Sequence, residues 1–239
     1  MTALSGRTAI VTGASRGIGA AIARALAGEG ARVGLIARTR PALEQLRTEI
    51  GETAIVVECD ITDEKSVVSA GHTVREAFAG PPDIIVNNAG LFRVAPVESM
   101  SPADFVASVQ TNLVAPFLVL HEFLDGMRER QSGHIVTIGS VADREIFPEN
   151  VAYAASKFGL RALHEVLRNE LNGTGIRATL ISPAAVNTEL WDGFDTGNAQ
   201  QRFPTRDAML DTDAVARAVM FAITQPPSVN IDELRLSRA

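Results

Sequence analysis

Internal disulfides are excluded from this chain, because its 239 residues hold a single cysteine, Cys59. A lone thiol suits a reducing compartment, and beside a strand it reads as a small buried hydrophobe. A basic surplus is also missing: 22 Lys and Arg stand against 28 Asp and Glu, for a net charge of -6. That balance argues against nucleic acid or an anionic membrane as a main partner. No charged N-terminal stretch leads into a signal-length apolar run, and no apolar run reads as a membrane span. A cytoplasmic protein is therefore expected. Repeats, linkers and low-complexity segments are absent. Aromatic residues make up only 5%, with one tryptophan and one tyrosine. The tyrosine, Tyr153, stands in "YAASK", four residues before Lys157.

What is present is an alternation of strand-length apolar runs and helix-period segments. The strand patterns are "RTAIVTG", "ARVGLIAR", "TAIVVECDI", "PDIIVNNAG", "GHIVTIGS", "GIRATLISP" and "NIDELRLS". Between them lie segments with apolar residues at helical spacing. One is a long helix from Ser101 to Gln131, capped by Ser101 with Pro102 at its first position. Another begins near Val151 and is closed by Gly173. Continuous apolar strands imply a sheet buried on both faces, and intervening helices imply parallel crossovers. The expected architecture is one α/β domain over residues 1–239, Rossmann-like and doubly wound, with about seven parallel strands flanked by helices. Residues 184–211 interrupt this regularity, and a loop region of that length is expected to serve as a substrate lid.

"TGASRGIG" (Thr12–Gly19) lies between the first strand and the first helix. Gly13, Gly17 and Gly19 allow a sharp turn and a close backbone approach. The helix that follows offers free N–H groups and a positive dipole end to a pyrophosphate. Together with "NNAG" (Asn87–Gly90), Asn112, Ser140 and "YAASK", the G-x-x-x-G-x-G spacing resembles the short-chain dehydrogenase/reductase family, of its short NADP-dependent type. The resemblance covers nearly the whole chain.

The resemblance implies a nicotinamide dinucleotide cofactor. After the second strand, Ala37 stands where a carboxylate would accept from a free ribose 2′-hydroxyl, and Arg38 follows. With Arg16 it presents two guanidiniums, which suit a 2′-phosphate and hence NADP(H). Asp60 and Ile61 resemble the family's adenine-contacting pair, and Asn87, Ala89 and Gly90 the loop passing the adenosine ribose. Ser15 and Ile18 complete the glycine loop. Pro183, Val186 and Thr188 resemble the segment that holds the nicotinamide carboxamide. There the family's usual Pro-Gly is Pro-Ala, and a Cβ at Ala184 would be strained if that position required a positive φ.

Tyr153 and Lys157, at i and i+4, share a helix face. A nearby ammonium is expected to lower the phenol's pKa and fit it for proton transfer. Ser140 closes a strand at its carboxyl end, where ligands of parallel sheets sit. Pro116 lies four residues beyond Asn112, so the Asn112 carbonyl is expected to be free at a kink. The resemblance assigns Asn112, Ser140, Tyr153 and Lys157 as catalytic residues, with Asn112 supporting a water relay.

The function this implies is hydride transfer between NADP(H) and a small carbonyl or secondary alcohol substrate, of the ketone or 3-hydroxy acid/3-oxo acid type. The tail "VNIDELRLSRA" looks like the serine-type 3-hydroxy acid dehydrogenases and small ketone reductases. Alternatives are a 3-oxoacyl-thioester reductase, a sugar-nucleotide epimerase or dehydratase, and a non-catalytic nucleotide sensor on the same fold. Leu190, Trp191, Phe194, Phe203, Phe92 and Phe147 suggest an apolar pocket. Arg93 and Arg144 are near the strand ends and could meet an anionic substrate, though solvated arginines are the plainer reading. No metal site is expected, and the resemblance implies a homotetramer or homodimer.

Overall fold

The computed structural model describes residues 2–194 and 203–239. In chain order its main elements are β1 Thr8–Thr12, α1 Gly17–Gly28, β2 Arg32–Ala37, α2 Arg40–Ile50, β3 Ala54–Glu58, α3 Glu64–Phe78 and β4 Ile84–Asn87, then α4 Pro102–Val109, α5 Ala115–Arg130, β5 Gly133–Ile138, α6 Val151–Glu170, β6 Ile176–Pro183, α7 Thr212–Ile223 and β7 Glu233–Leu236. Among the described residues the strands form one seven-stranded sheet of order β3-β2-β1-β4-β5-β6-β7, and every neighbouring pair is parallel. The expected doubly wound α/β architecture is thus present.

Strand alternation sorts the core into two layers. Ala9 and Val11 of β1 face α1, α2 and α7, meeting Ile22, Leu26, Leu43 and Val219. Ile10 faces the other way, toward α3, α5 and α6, among Val74, Val119, Phe123 and Leu167. Side-chain caps fix three helix starts: Asp63 accepts from Lys65 N, Ser101 from Asp104 N, and Asp211 from Ala214 N. The order reverses between β1 and β4, which opens a crevice at the carboxyl ends of the strands.

Four expectations need correction. The helix from Ser101 does not run unbroken: a π turn, Gln110–Val114, separates α4 from α5, just before Pro116. The last strand is short, Glu233–Leu236, and α6 ends at Glu170 before Gly173 turns at φ 78°. Pro102–Arg130 is also long and apolar enough to cross a membrane. Here its α5 part buries Val119, Leu120, Phe123 and Met127 against the sheet and α3.

Candidate active site

The crevice holds a cavity of about 1160 Å³. Gly13, Ser15, Arg16, Gly17 and Ile18 line one wall. A Cβ on Gly13 would meet Ala89 Cα at 2.8 Å, and one on Gly19 would meet Gly13 O at 2.3 Å. These two glycines let the loop lie tightly on the end of β4, while Gly17 supplies the turn with φ 55°. Gly19 itself is buried and stands behind the cavity wall. Helix α1, like α2, α5 and α6, begins with no side-chain cap, and its first residues Gly17 and Ile18 line the cavity.

Arg38 and Arg16 are exposed on the rim of the same end. Asp60 and Ile61 line it too. Hydrogen bonds from the Thr62 hydroxyl and backbone, and then the Arg38 charge, hold the Asp60 carboxyl below its usual range. One Asp60 oxygen is already committed to Thr62 Oγ1 at 2.6 Å. Ala89 and Gly90 line the cavity, whereas Asn87 does not: it is 3% exposed and its Nδ2 has no partner. Asn88 takes its place. Its Nδ2 donates to Thr12 O at 2.9 Å, and Thr12 Oγ1 accepts from the N–H groups of Asn88 and Ala89 at 3.0 and 3.1 Å. The doubled asparagine of "NNAG" was the signal for this clamp, and strand alternation decides which of the two faces outward.

Ser140, Tyr153 and Lys157 meet at the other end of the cavity. Ser140 caps the 3-10 turn Val141–Asp143, its Oγ accepting from Ala142 N at 3.1 Å. Lys157 is buried, donates from Nζ to Ile138 O at 3.0 Å, and lies 5.6 Å from the Tyr153 ring centroid. The expected lowering of the phenol pKa is not found in this state. Burial pushes Tyr153 up to about 12, against a Ser140 hydrogen bond that pulls it down and an Asp143 charge that adds to the rise. Burial likewise brings Lys157 down to about 8, with Asp143 working the other way. Desolvation is the largest influence on both groups here.

Asn112 is fully buried in the π turn and does not line the cavity. Its side chain accepts from Leu91 N at 2.7 Å and donates to Leu91 O at 2.8 Å and Ser156 Oγ at 2.9 Å. It therefore ties the loop after β4 to α6 behind Tyr153. Proline 116 has no N–H to offer the Asn112 carbonyl. Ser156, between Tyr153 and Lys157, is the partner that the sequence did not single out.

Pro183, Val186 and Thr188 line the third wall. Ala184 has no positive φ and donates its N–H to Leu236 O at 2.8 Å, so the feared strain is absent. Phe92, Trp191 and Met209 form a buried cluster with Leu190, Phe194, Phe203 and Tyr153 packed on it. Phe92 stands edge-on to the Tyr153 ring at 4.9 Å. Phe147 lines the cavity but stays 44% exposed, outside that cluster. The middle of the expected lid, 195–202 with Gly197, lies outside the described residues. Arg144 is not solvated: it pairs with Asp143 and Glu233. Arg93 pairs with Asp104 at 3.5 Å, both half exposed.

Comparisons with known proteins agree with this geometry. The short chain dehydrogenase family model matches residues 7–199. Glycine betaine reductase of Emericella nidulans is 37% identical over 236 residues, 97% of this chain but only 18% of that much longer protein. D-threitol dehydrogenase of Mycolicibacterium smegmatis is also 37% identical, over 95% of this chain and 90% of its own length. A metagenomic short-chain oxidoreductase solved in complex with NADP superposes with a TM-score of 0.85 at 33% identity, covering 100% of this chain and 99% of that one.

Proposed function

The chain belongs to the short-chain dehydrogenase family, and from that premise we propose that it is an NADP(H)-dependent oxidoreductase interconverting a small carbonyl compound and its secondary alcohol. The observation that carries this reading is one cavity with an uncapped helix N-terminus and two exposed arginines at one end and Ser140, Tyr153 and Lys157 at the other. The donor set fits a dinucleotide: N–H groups of α1 for the pyrophosphate, Arg16 and Arg38 for a 2′-phosphate, Asp60 and Ile61 beside the adenine, and Lys157 for a ribose. When bound, the cofactor supplies or accepts the hydride.

The chain's own residues manage position and protons. Ser140 and Tyr153 hydrogen-bond the substrate oxygen. Tyr153 gives its proton in the reductive direction and takes one in the oxidative direction. The Lys157 ammonium, 5.6 Å from the Tyr153 ring centroid, favours the phenolate and so works against the rise that burial imposes. Asn112 holds α6 to the loop after β4 and leaves its carbonyl for a water relay. Val186 and Thr188 position the ring that carries the hydride.

The aromatic cluster supports a substrate with an apolar flank next to the carbonyl. Arg144 is occupied by two carboxylates and Arg93 by one, which favours a neutral ketone over a 3-oxo or 3-hydroxy acid. Exposed Phe105, Phe117, Phe158 and Val166 on α4, α5 and α6 support a homodimer or homotetramer built through those helices. The buried thiol of Cys59 supports a cytoplasmic setting.

The test is NADPH oxidation with a panel of apolar ketones, 3-oxo esters, 3-oxoacyl thioesters, 3-oxo acids and keto-polyols. The highest kcat/KM is expected for apolar ketones. NADPH turnover with none of them would overturn the reading, and a clear preference for thioesters would establish the acyl-thioester alternative.

A further inference from the structure

Three residues beyond Ser140 the chain buries a carboxylate. Asp143 closes the turn Val141–Asp143 and is 1% exposed. Its Oδ2 accepts from Ser182 Oγ on β6 at 2.7 Å, and its Oδ1 accepts from Arg144 Nε at 2.8 Å. Arg144 in turn reaches Glu233 on β7. The Asp143 N–H donates to Ser140 O at 3.0 Å. Asp143 thus fastens the Ser140 turn to β6 directly and to β7 through Arg144.

Holding a carboxylate out of water is costly, and a neutral residue could have anchored the same turn. What only the carboxylate adds is charge. Two carboxylates share one guanidinium in this triad, which leaves one net negative charge. We propose that Asp143 is a positioning residue that fixes the Ser140 turn on β6 and β7 and places a negative charge against Gly139 at the end of β5, next to Ile138, whose carbonyl accepts from Lys157 Nζ.

That charge acts on Tyr153 and Lys157 in the same sense, favouring the proton on the phenol and the proton on the ammonium. The pair is thereby held as an acid beside a cation, the state suited to donating a proton to a carbonyl oxygen. Other titratable groups on neighbouring elements are differently engaged. His134 on β5 and His164 on α6 are buried and held neutral, chiefly by desolvation. Asp104 on α4 is half exposed and bound to Arg93. Arg144 and Glu233 belong to the triad itself.

The catalytic part of this proposal rests on the oxidoreductase reading, but its main test does not. Tyr153 is the sole tyrosine, so alkaline difference absorption of the whole chain titrates this phenol alone. Asp143→Asn should move the midpoint of phenolate formation to lower pH, and should move the alkaline limb of kcat for ketone reduction the same way. Asp143→Glu should bring both back toward wild type. Ser182→Ala removes a hydrogen bond but no charge, and should leave the midpoint in place. A wild-type midpoint in folded Asp143→Asn overturns the proposal, even with NADPH turnover intact. A lowered midpoint in a chain without NADPH turnover upholds it and counts against the oxidoreductase reading instead. If Asp143→Asn fails to fold, Glu233→Gln removes one charge from the more exposed end of the triad. It should lower the midpoint by a smaller step, and no shift there overturns the proposal.

Discussion

At the Arg16–Arg38 end the cavity is made of backbone and exposed charge, whereas at the Tyr153–Lys157 end it is made of side chains, with Ser140 and Lys157 buried and Tyr153 half-buried. The first end can recognise a phosphate without being dry, because N–H groups and guanidiniums supply charge-assisted hydrogen bonds. Its guanidinium contacts are screened by salt. The second end must control protons, and there desolvation is the largest influence on both Tyr153 and Lys157. The difference teaches that selection of the cofactor and transfer of the proton are separate jobs in one cavity, resting on different physics.

The comparison breaks most visibly at Tyr153. Tyr153→Phe removes the hydroxyl and keeps the ring that packs on Phe92. Turnover should fall by roughly 10²–10⁴-fold, the usual worth of a positioned acid or base, with NADPH affinity close to wild type. Steady-state kinetics beside a cofactor fluorescence titration measure both, and near-normal turnover would remove Tyr153 from the mechanism. The opposite end is probed by Arg38→Ala. A hydrogen bond to a charged group contributes about 1.5–3 kcal/mol, so NADPH affinity should fall roughly ten- to a hundredfold, and NADH affinity much less. Ala37→Asp combined with Arg38→Ala should reverse the cofactor preference, because the new carboxylate repels a phosphate and accepts from a free hydroxyl. The ratio of kcat/KM values for the two cofactors reads this, and a ratio indifferent to Arg38 would place the phosphate elsewhere.

A separate effect is read in stability rather than in turnover or cofactor affinity. His134 and His164 are held neutral by desolvation, at about 3 and about 4. Each has one ring nitrogen on a threonine hydroxyl, Thr179 or Thr137, and one without a partner. The unfolded chain takes protons on both near pH ~6.5, while the folded chain refuses them until lower pH. Stability is therefore complete above pH ~6.5 and declines as pH falls toward about 4, on the order of 3 kcal/mol per histidine. Urea unfolding at several pH values should show this decline, and His134→Gln should flatten part of it. An equal decline in that variant would mean that other groups carry the acid sensitivity.

The nucleotide end was legible in the sequence because it is local. Gly13, Arg16, Gly17 and Gly19 lie within one turn, and Arg38 directly follows β2. Tyr153 and Lys157 were legible through helical spacing, and Lys157 stands out further as one of only two lysines in the chain. What escaped is what burial and distance decide. The partners of Asn112, at Leu91 and Ser156, are 21 and 44 residues away. The direction of the Tyr153 shift depends on how completely the fold excludes water, which no local pattern records. The choice of Asn88 over Asn87 depends on which way β4 ends, and the Asp143–Arg144–Glu233 triad spans residues far apart in the chain. The Pro-Ala substitution at Ala184 looked costly only under an assumed positive φ, and the backbone there does not adopt one.

The separation of the two jobs is tested most directly by a double-mutant cycle between Arg38→Ala and Tyr153→Phe. The measurement is NADPH Kd and kcat at saturating NADPH in wild type, both single variants and the pair. The account predicts that Arg38→Ala moves only Kd, that Tyr153→Phe moves only kcat, and that the pair shows the two losses added within about 0.5 kcal/mol. A loss of kcat in Arg38→Ala at saturating cofactor, or a coupling well beyond that margin, would contradict it.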